Sequence, residues 1–341
     1  MDLLKKYTKK FIGFTFFFAL IIASSIIVSV NRPSYLKYKN DDWNYVVLPN
    51  DYNASKWNVL FDAHSHTIYS DGKLTVEQNI LWHLSNGFNA IAISDHNTWK
   101  HWAEVKKVAE EKFAGRVVVL PASEWTTRRI HMNIILPPNA TNFEHLVPSS
   151  SYPTDEEIKS TIQAVHQLGG IVMVNHYPWS LPRMPTHPTR QQVYEWGADF
   201  IEINDADWDQ ESADFVAANE MNLMSGTDMH TPSGVHGWNG LWVNEFTADA
   251  VFQQLKIRNT TVLFQSERSV YLANHSVNPL YIALRPMIEI GEMFENYMLP
   301  TGAIDWVAIS VFLGYYIAFF MIYEVGKEIV NKTIQKLLKK K

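Results

Sequence analysis

The chain has 341 residues, 47% of them apolar, which is enough to bury one large core or two modest ones and excludes a disordered protein. It contains no cysteine, so disulfides and thiolate metal sites are excluded, and histidine and carboxylate remain as the strong ligands. The formal net charge of -6 is uneven: residues 1–31 and 324–341 carry ten lysines against three acids, so the stretch between is more acidic than the whole and is no basic surface for nucleic acid.

Residues 1–10 form a basic N-terminus, expected in the cytosol. Phe11 to Val30 follows without a charge, and twenty residues at about 1.5 Å each match the ~30 Å hydrocarbon core of a bilayer. This run is longer than the apolar part of a cleaved signal peptide and is expected to be an uncleaved signal anchor, with cleavage near Ser24 and Ser25 as the alternative. Residues 31–56 read as a linker.

From 57 to 270, short β-rich runs alternate with helical patterns, which favours parallel strands joined by crossover helices. The first strand is Val59 to Ala63. A helix begins near Val76, where Thr75 and Gln78 are spaced as a capping box and Gly87 marks the stop. Ala90–Ile93 is a strand, Trp99–Ala114 a helix, Val117–Leu120 a strand, and Asn133–Leu136 an extended run. Thr154 and Glu157 cap another helix that ends at Gly169-Gly170 before the strand Ile171–Val174. Phe200–Ile203, Leu223-Met224 and Val262–Phe264 supply later strands. An α/β barrel is the natural closed form of this alternation.

Residues 271–305 connect to a second uncharged run, Trp306 to Tyr323, framed by Asp305 and Glu324 and rich in aromatic residues. It reads as a second transmembrane helix. The basic tail 324–341 is expected to be cytosolic, either a helix on an anionic leaflet or a solvated end. Lysines before the first span and after the second put both termini in the cytosol and the domain between them outside it, or in a lumen. Asn53, Asn139, Asn259 and Asn274 begin Asn-x-Ser/Thr sequons in that domain, but Asn331 begins one on the cytosolic side.

Histidines and carboxylates fall just past the apolar runs. His64 and His66 follow the first strand at i and i+2, so an extended backbone points both rings to one face. Asp71 lies in the turn Ser70-Asp71-Gly72, His96 ends Ser94-Asp95-His96-Asn97, and Glu124 follows in Ala122-Ser123-Glu124. His131 begins an extended run, His176 closes Val174-Asn175-His176, and Asp228 and His230 close Gly226-Thr227-Asp228-Met229-His230. In a parallel barrel the C-terminal strand ends meet at one mouth, which would bring these residues together. One histidine beside a strand is an ordinary structural residue; so many strand ends with the same chemistry are not. His83, His101, His145, His166, His187 and His275 lie in helical or loop contexts and are expected at the surface.

Asp62-Ala63-His64-Ser65-His66, Ser70-Asp71-Gly72, Ser94-Asp95-His96-Asn97, Glu124, His131, His176 and Thr227-Asp228-Met229-His230 together resemble the PHP family, the polymerase and histidinol phosphatase superfamily. The resemblance spans roughly 57–270 and implies a distorted (β/α)7 barrel, here flanked by two transmembrane helices, with two or three divalent ions of the manganese, zinc or iron type. It implies that His64, His66, Glu124 and Asp228 hold the first ion. Glu124 then bridges to a second ion held by His131 and His176, and Asp71, His96 and His230 hold a third.

The reaction expected is hydrolysis of a phosphate ester, mono- or diester, by a hydroxide shared between two ions. Arg128 or Arg129 could grip the phosphate bidentately, and His236 could protonate the leaving group. A site beside a bilayer suggests a phosphorylated small molecule or a lipid or glycolipid headgroup as substrate. The alternatives are a binding or sensory ectodomain that keeps metal without turnover, and a hydrolase of another bond.

Overall fold

The computed structural model describes residues 2–38, 46–148, 150–204, 208–267, 275–295 and 306–338. They fall into two compact units, one spanning Asn31–Pro286 and the other holding the terminal helices with the segment from Met287. The sequon at Asn274 and the last three lysines lie outside the described residues.

The elements begin with α1 (Asp2–Val30), β1 (Leu36–Tyr38), β2 (Val59–Ser65), α2 (Val76–Ser85), β3 (Ala90–Ile93), α3 (Trp102–Lys112) and β4 (Val118–Val119). Next come β5 (Ala122–Thr126), β6 (His131–Ile135), α4 (Asp155–Gln167), β7 (Ile171–Val174), α5 (Tyr177–Arg183), α6 (Arg190–Glu195) and β8 (Phe200–Asn204). The chain continues through α7 (Gln210–Ala217), β9 (Asn222–Gly226), β10 (Gly237–Leu241), α8 (Ala248–Lys256) and β11 (Thr261–Phe264). It ends with β12 (His275–Val277), α9 (Pro279–Glu295) and α10 (Trp306–Leu338).

The larger unit is mixed α/β, with two five-stranded sheets in the orders β11-β10-β2-β3-β4 and β5-β6-β7-β8-β9. The expected barrel of parallel strands is not what forms: the sheets are not closed into one. β2–β3, β3–β4, β7–β8 and β8–β9 are parallel, but β5–β6, β6–β7, β10–β2 and β10–β11 are antiparallel. The reason for the first reversal is local. Only Thr127–Ile130 separates β5 from β6, and so short a connection makes a hairpin, whereas a parallel return needs a crossover of about a dozen residues. Isolated bridges at Ser65 with Met229 and at His96 with Glu124 join the ends of the two sheets.

The core has three layers. One apolar cluster, with Trp125, Ile134, Val172 and Ile201, lies between the second sheet and helices including α4. Another, with Leu60, Ile91 and Trp82, lies between the first sheet and α2 and α3. The third takes Val59, Phe61 and Ala63 from β2, Ala90 and Ala92 from β3, and Met173, Phe200 and Met224 from β7, β8 and β9, and so joins the sheets. Helix starts follow the sequence signals: Thr75 with Gln78, and Thr154 with Glu157, form reciprocal capping boxes on α2 and α4. α3 starts three residues later than its apolar pattern, because Asn97 takes a positive φ of 51° and His101 is buried in the turn before the helix.

The segment 31–56 is more than a linker at its start. β1 pairs antiparallel with β12, Leu36 opposite Val277, and Tyr35 meets Tyr281 edge to face. In the smaller unit α1 and α10 lie antiparallel. Tyr7 donates to Glu328 at 3.0 Å, Lys10 pairs with Glu324, Phe14 stacks on Tyr316, and Phe18 stacks on Tyr316 and Phe312. α9 approaches α1 so closely that a Cβ on Gly291 would lie 2.4 Å from the Ser25 carbonyl oxygen, the small-residue contact common between membrane helices. Among the described residues two helices are long and apolar enough to cross a membrane, with candidate spans at Tyr7–Val30 and Ile309–Gln335. The second helix runs on past Tyr323, without a break, to Leu338.

Candidate metal centre

The strands deliver the candidate ligands to one place. β2, β3, β7 and β9 do so at or near their C-terminal ends, through His64 and His66, His96, His176, and Asp228 with His230. β6 runs the other way, and its ligand His131 is accordingly its first residue. Glu124 sits within β5, two residues before its end, opposite Asn133. A register shift between Asp62 and Ser65 interrupts the pairing of β2 with β3. Strict alternation would put His64 opposite Ala63 across the sheet; the irregularity re-aims the strand where apolar positions give way to ligands.

Glu124 is the hub. Its Oε1 lies 3.2 Å from His131 Nδ1 and 3.5 Å from His176 Nε2, and its Oε2 lies 2.5 Å from His96 Nδ1, 3.6 Å from His64 Nε2 and 3.7 Å from His66 Nε2. Asp228 Oδ1 is 3.3 Å from His64 Nε2 and 3.1 Å from His66 Nε2. Asp71 Oδ1 is 3.4 Å from His96 Nε2 and 3.1 Å from His230 Nε2. Among the described residues three groups are compact enough to share an ion each: His64, His66 and Glu124; Glu124, His131 and His176; and His66, Asp71, His96 and His230. His66 therefore faces two of the groups.

Residues that the ligand pattern missed hold this shell. Glu202 is fully buried in β8, with Oε1 2.8 Å from His64 Nδ1, and its Oε2 accepts the His176 backbone N–H at 2.5 Å. Its signal was a charge inside the apolar run Ile201-Glu202-Ile203. Asp62 accepts from the Thr227 N–H at 3.0 Å and hydroxyl at 2.7 Å, so it fixes the residue before Asp228. Asp95 accepts from the Thr67 N–H and the hydroxyls of Thr67 and Ser70 at 2.6–2.7 Å. Asn175 donates to Glu124 Oε1 at 2.9 Å and to Asn133 Oδ1 at 2.8 Å. Thr126 Oγ1 lies 2.6 Å from His96 Nδ1. Such outer partners orient imidazoles and carboxylates for a metal.

Backbone strain marks two candidate ligands. His176 has φ 29° and Asp228 has φ 47°, in the left-handed region that side chains other than glycine rarely enter. Gly226 is forced by closeness: a Cβ there would lie 1.9 Å from Glu202 Oε1 and 2.7 Å from His64 Cβ.

The donor set fits divalent cations. His64 Nε2 and His66 Nε2 are 3.0 Å apart, and His131 Nδ1 and His176 Nε2 are 3.2 Å apart. Facing imidazole nitrogens repel unless a proton or a cation lies between them. Glu124 Oε2, though ringed by imidazoles, has no well-directed hydrogen bond, and neither has the buried His66 Nδ1. The charges are mutually adjusted. Burial opposes the charge of His64, but Glu202, Asp228 and Glu124 outweigh it and raise its pKa well above the usual value. For His66 burial wins, with help from His230 and His96, and its pKa falls to about 4. Burial would raise Glu124, yet His96 and His64 hold it well below the ordinary carboxylate range; His96 and the His230 hydrogen bond do the same for Asp71.

The three candidate catalytic residues differ in their surroundings. Arg129 is occupied: it donates to the Thr186 carbonyl at 3.0 Å, to the Pro153 carbonyl at 2.7 Å and to Asp155 at 2.7 Å, which ties loops together. Arg128 is exposed. His236 is buried at the start of β10, with Nδ1 3.1 Å from the Gln265 carbonyl and its ring over Phe264 of β11. The expected surface histidines also divide. His145 is exposed, but His83 and His101 are fully buried and His187 is 9% exposed. His83 Nε2 lies 2.8 Å from Asp62, His101 Nε2 lies near the carbonyls of Ile93 and Ala122, and His166 pairs with Asp199 at 2.9 Å. A polar ring is buried where a buried carboxylate or carbonyl receives it, and no helical periodicity reports that.

No protein-family model matches this sequence, and no curated protein does. Solved structures do. The chain is similar to a two-domain protein of Bacteroides vulgatus containing a predicted PHP-like metal-dependent phosphoesterase, at 18% identity over 65% of this chain and 68% of that one, with a TM-score of 0.51. It is also similar to a lesion-specific endonuclease of Pyrococcus furiosus, at 19% identity over 58% of this chain and 56% of that one, with a TM-score of 0.44. An amidohydrolase of Chromobacterium violaceum matches at 15% identity over 51% of this chain and 88% of that one, with a TM-score of 0.38. At 18% identity the first of these is a likeness of fold.

Proposed function

We propose that this chain is a membrane-anchored, metal-dependent phosphoesterase, a phosphatase or phosphodiesterase, with two or three divalent ions of the manganese, zinc or iron type. Its substrate would be a phosphorylated small molecule or a lipid or glycolipid headgroup on the extracytoplasmic or lumenal side. The observation that carries the reading is the position of Glu124, whose two oxygens face two different sets of imidazoles. A carboxylate so placed can bridge adjacent cations.

When bound, such ions lower the pKa of water and balance charge on phosphoryl oxygens. The chain's own part is to hold nine ligand side chains at fixed separation and to keep the donors neutral or anionic as needed. His64 is steered by Glu202, so its Nε2 is presented inward. Asp228 and Glu124 supply negative charge, and the burial of Glu124 keeps bulk water from screening its share. Arg128, exposed just beyond β5, is the cation that could meet a phosphate from solvent; Arg129 already has its partners.

Two features support anchoring. α1 and α10 lie antiparallel in their unit, as a two-span anchor requires if both basic ends share one side. Lysines cluster at those ends. The test is hydrolysis of a generic aryl phosphate and an aryl phosphodiester by the detergent-solubilised full chain, chelated and then reloaded with manganese or zinc. Metal-dependent turnover is expected, with a loss of about a thousandfold or more in His64→Ala/Asp228→Ala protein. Full activity in that variant, or stoichiometric metal without turnover on any phosphoester, would overturn the proposal; the second result would favour a sensory ectodomain.

A further inference from the structure

We propose that Arg32, two residues past the end of α1, is a positioning residue for the Asp71 side of the metal centre, so that the segment leading out of the first membrane helix is a working part of the site. The inference rests on the reading of the cluster as a metal centre and adds a residue that lies outside the 57–270 stretch carrying the family resemblance.

The loop 66–74 bears His66 at its start and Asp71 near its middle. Four of its backbone donors are taken within the loop or by the Met229–His230 segment: His66 N–H bonds to the Met229 carbonyl at 3.0 Å, Ile68 N–H to Leu74 at 3.0 Å, Ser70 N–H to Thr67 at 3.1 Å, and Lys73 N–H to His230 at 2.7 Å. Asp95 holds three further donors of the loop, the Thr67 N–H and the hydroxyls of Thr67 and Ser70. Two of its carbonyls are held from elsewhere. One nitrogen of Arg32, Nη2, donates to the carbonyls of Ile68 at 2.8 Å and of Ser70 at 2.9 Å.

Ser70 is the residue before Asp71, so the plane of its carbonyl helps set where the Asp71 carboxylate points. The loop has little slack to absorb an error. A Cβ on Gly72 would lie 2.4 Å from the His66 carbonyl carbon, so the turn is wound directly against the backbone of a ligand. Asp71 Oδ1 has to stay near both His96 Nε2 and His230 Nε2.

Arg32 is itself fixed. Ser34 Oγ donates to Gln78 at 2.9 Å, and Asn278 donates its amide to the Ser34 carbonyl and its backbone N–H to the Tyr35 carbonyl, both at 2.9 Å. The β1–β12 ribbon continues this attachment. A half-buried guanidinium on a segment pinned this way serves as a strut, whereas a solvated tether would need no such bonds.

The experiment uses the full chain in detergent, stripped with chelator and titrated with manganese, with bound ion counted by elemental analysis and free ion by electron paramagnetic resonance. Wild type, Arg32→Ala and Arg32→Lys are compared. In Arg32→Ala one ion is expected to be lost or to bind about tenfold or more weakly, with the others unchanged within about twofold. Arg32→Lys should recover most of that affinity, because a single ammonium nitrogen can serve two carbonyls as Nη2 does. Unchanged binding in Arg32→Ala would overturn the inference. So would an equal weakening of every ion together with a lower unfolding midpoint of the metal-free protein, which would make Arg32 a general structural residue. A wild type that takes up no manganese at any concentration would instead overturn the reading of the centre itself.

Discussion

At the scale of single residues, the candidate ligands were legible because their chemistry is conspicuous against apolar strands, while their supports were not. His64-x-His66 and Asp228-x-His230 announce themselves in sequence; Glu202 looks like one misplaced charge, and Asp62 and Asp95 look like ordinary acids beside histidines. The support is tertiary: Glu202 reaches His64 across 138 positions. Glu202→Gln should weaken metal binding about 10–100-fold, because an amide cannot accept both from His64 and from the His176 N–H without turning an NH2 toward one of them. Equilibrium titration would show it, and wild-type affinity would refute the orienting role.

The pH behaviour of the metal-free centre follows from its shifts. Glu124, Asp71 and Asp228 have depressed pKa values in the folded state, so their stabilisation is full above the unfolded values near 4 and is lost as pH falls through the folded ones. His64 and His96 have raised values, so their stabilisation is full below about 6.5 and is lost as pH rises through the folded ones. His66, lowered to about 4, adds stability that is lost as pH falls below its unfolded value near 6.5, so the unfolding midpoint of chelated protein should peak near pH 6.5 and fall on both sides. A monotonic rise through pH 8 would contradict these pairings.

At the scale of elements, helix starts were readable because caps are local, and the strand order was not. Thr75→Ala removes half of the capping box on α2 and should cost about 1 kcal/mol, seen as a shifted denaturant midpoint with an unchanged slope. The antiparallel pairs depended on features that periodicity does not carry. β10 hides in a Gly-Trp-rich stretch that reads as a loop, yet Asn239 there donates to the Phe61 and Ser225 carbonyls and stitches β10 to its neighbours. β5 is separated from β4 by only two residues and belongs to the other sheet. Gly226→Ala tests the tightest contact between strands, since its methyl would collide with Glu202 and His64. The expected outcome is loss of bound metal together with destabilisation of about 1–3 kcal/mol.

At the scale of the whole molecule, the two apolar helices and the large acidic unit between them were evident from composition, because both rest on long runs. What composition could not show is that residues just past α1 and just before α9 pair with each other as β1 and β12. The topology proposed here predicts that protease added to the outside of sealed cells or vesicles cleaves the larger unit while tags on both termini stay protected. Protection of the larger unit with cleavage of the tags would reverse the orientation.

His176 and Asp228 hold left-handed backbones without being glycine, an arrangement that costs roughly 1–2 kcal/mol each. Metal binding would offset that cost by tying each residue to an ion, so the loaded chain should melt well above the stripped one. In a cell the difference becomes one of lifetime. A chain that leaves the ribosome during metal scarcity would open more often, be cleared by quality-control proteases and never persist as an idle apoenzyme, so the abundance of this protein would itself report the metal supply.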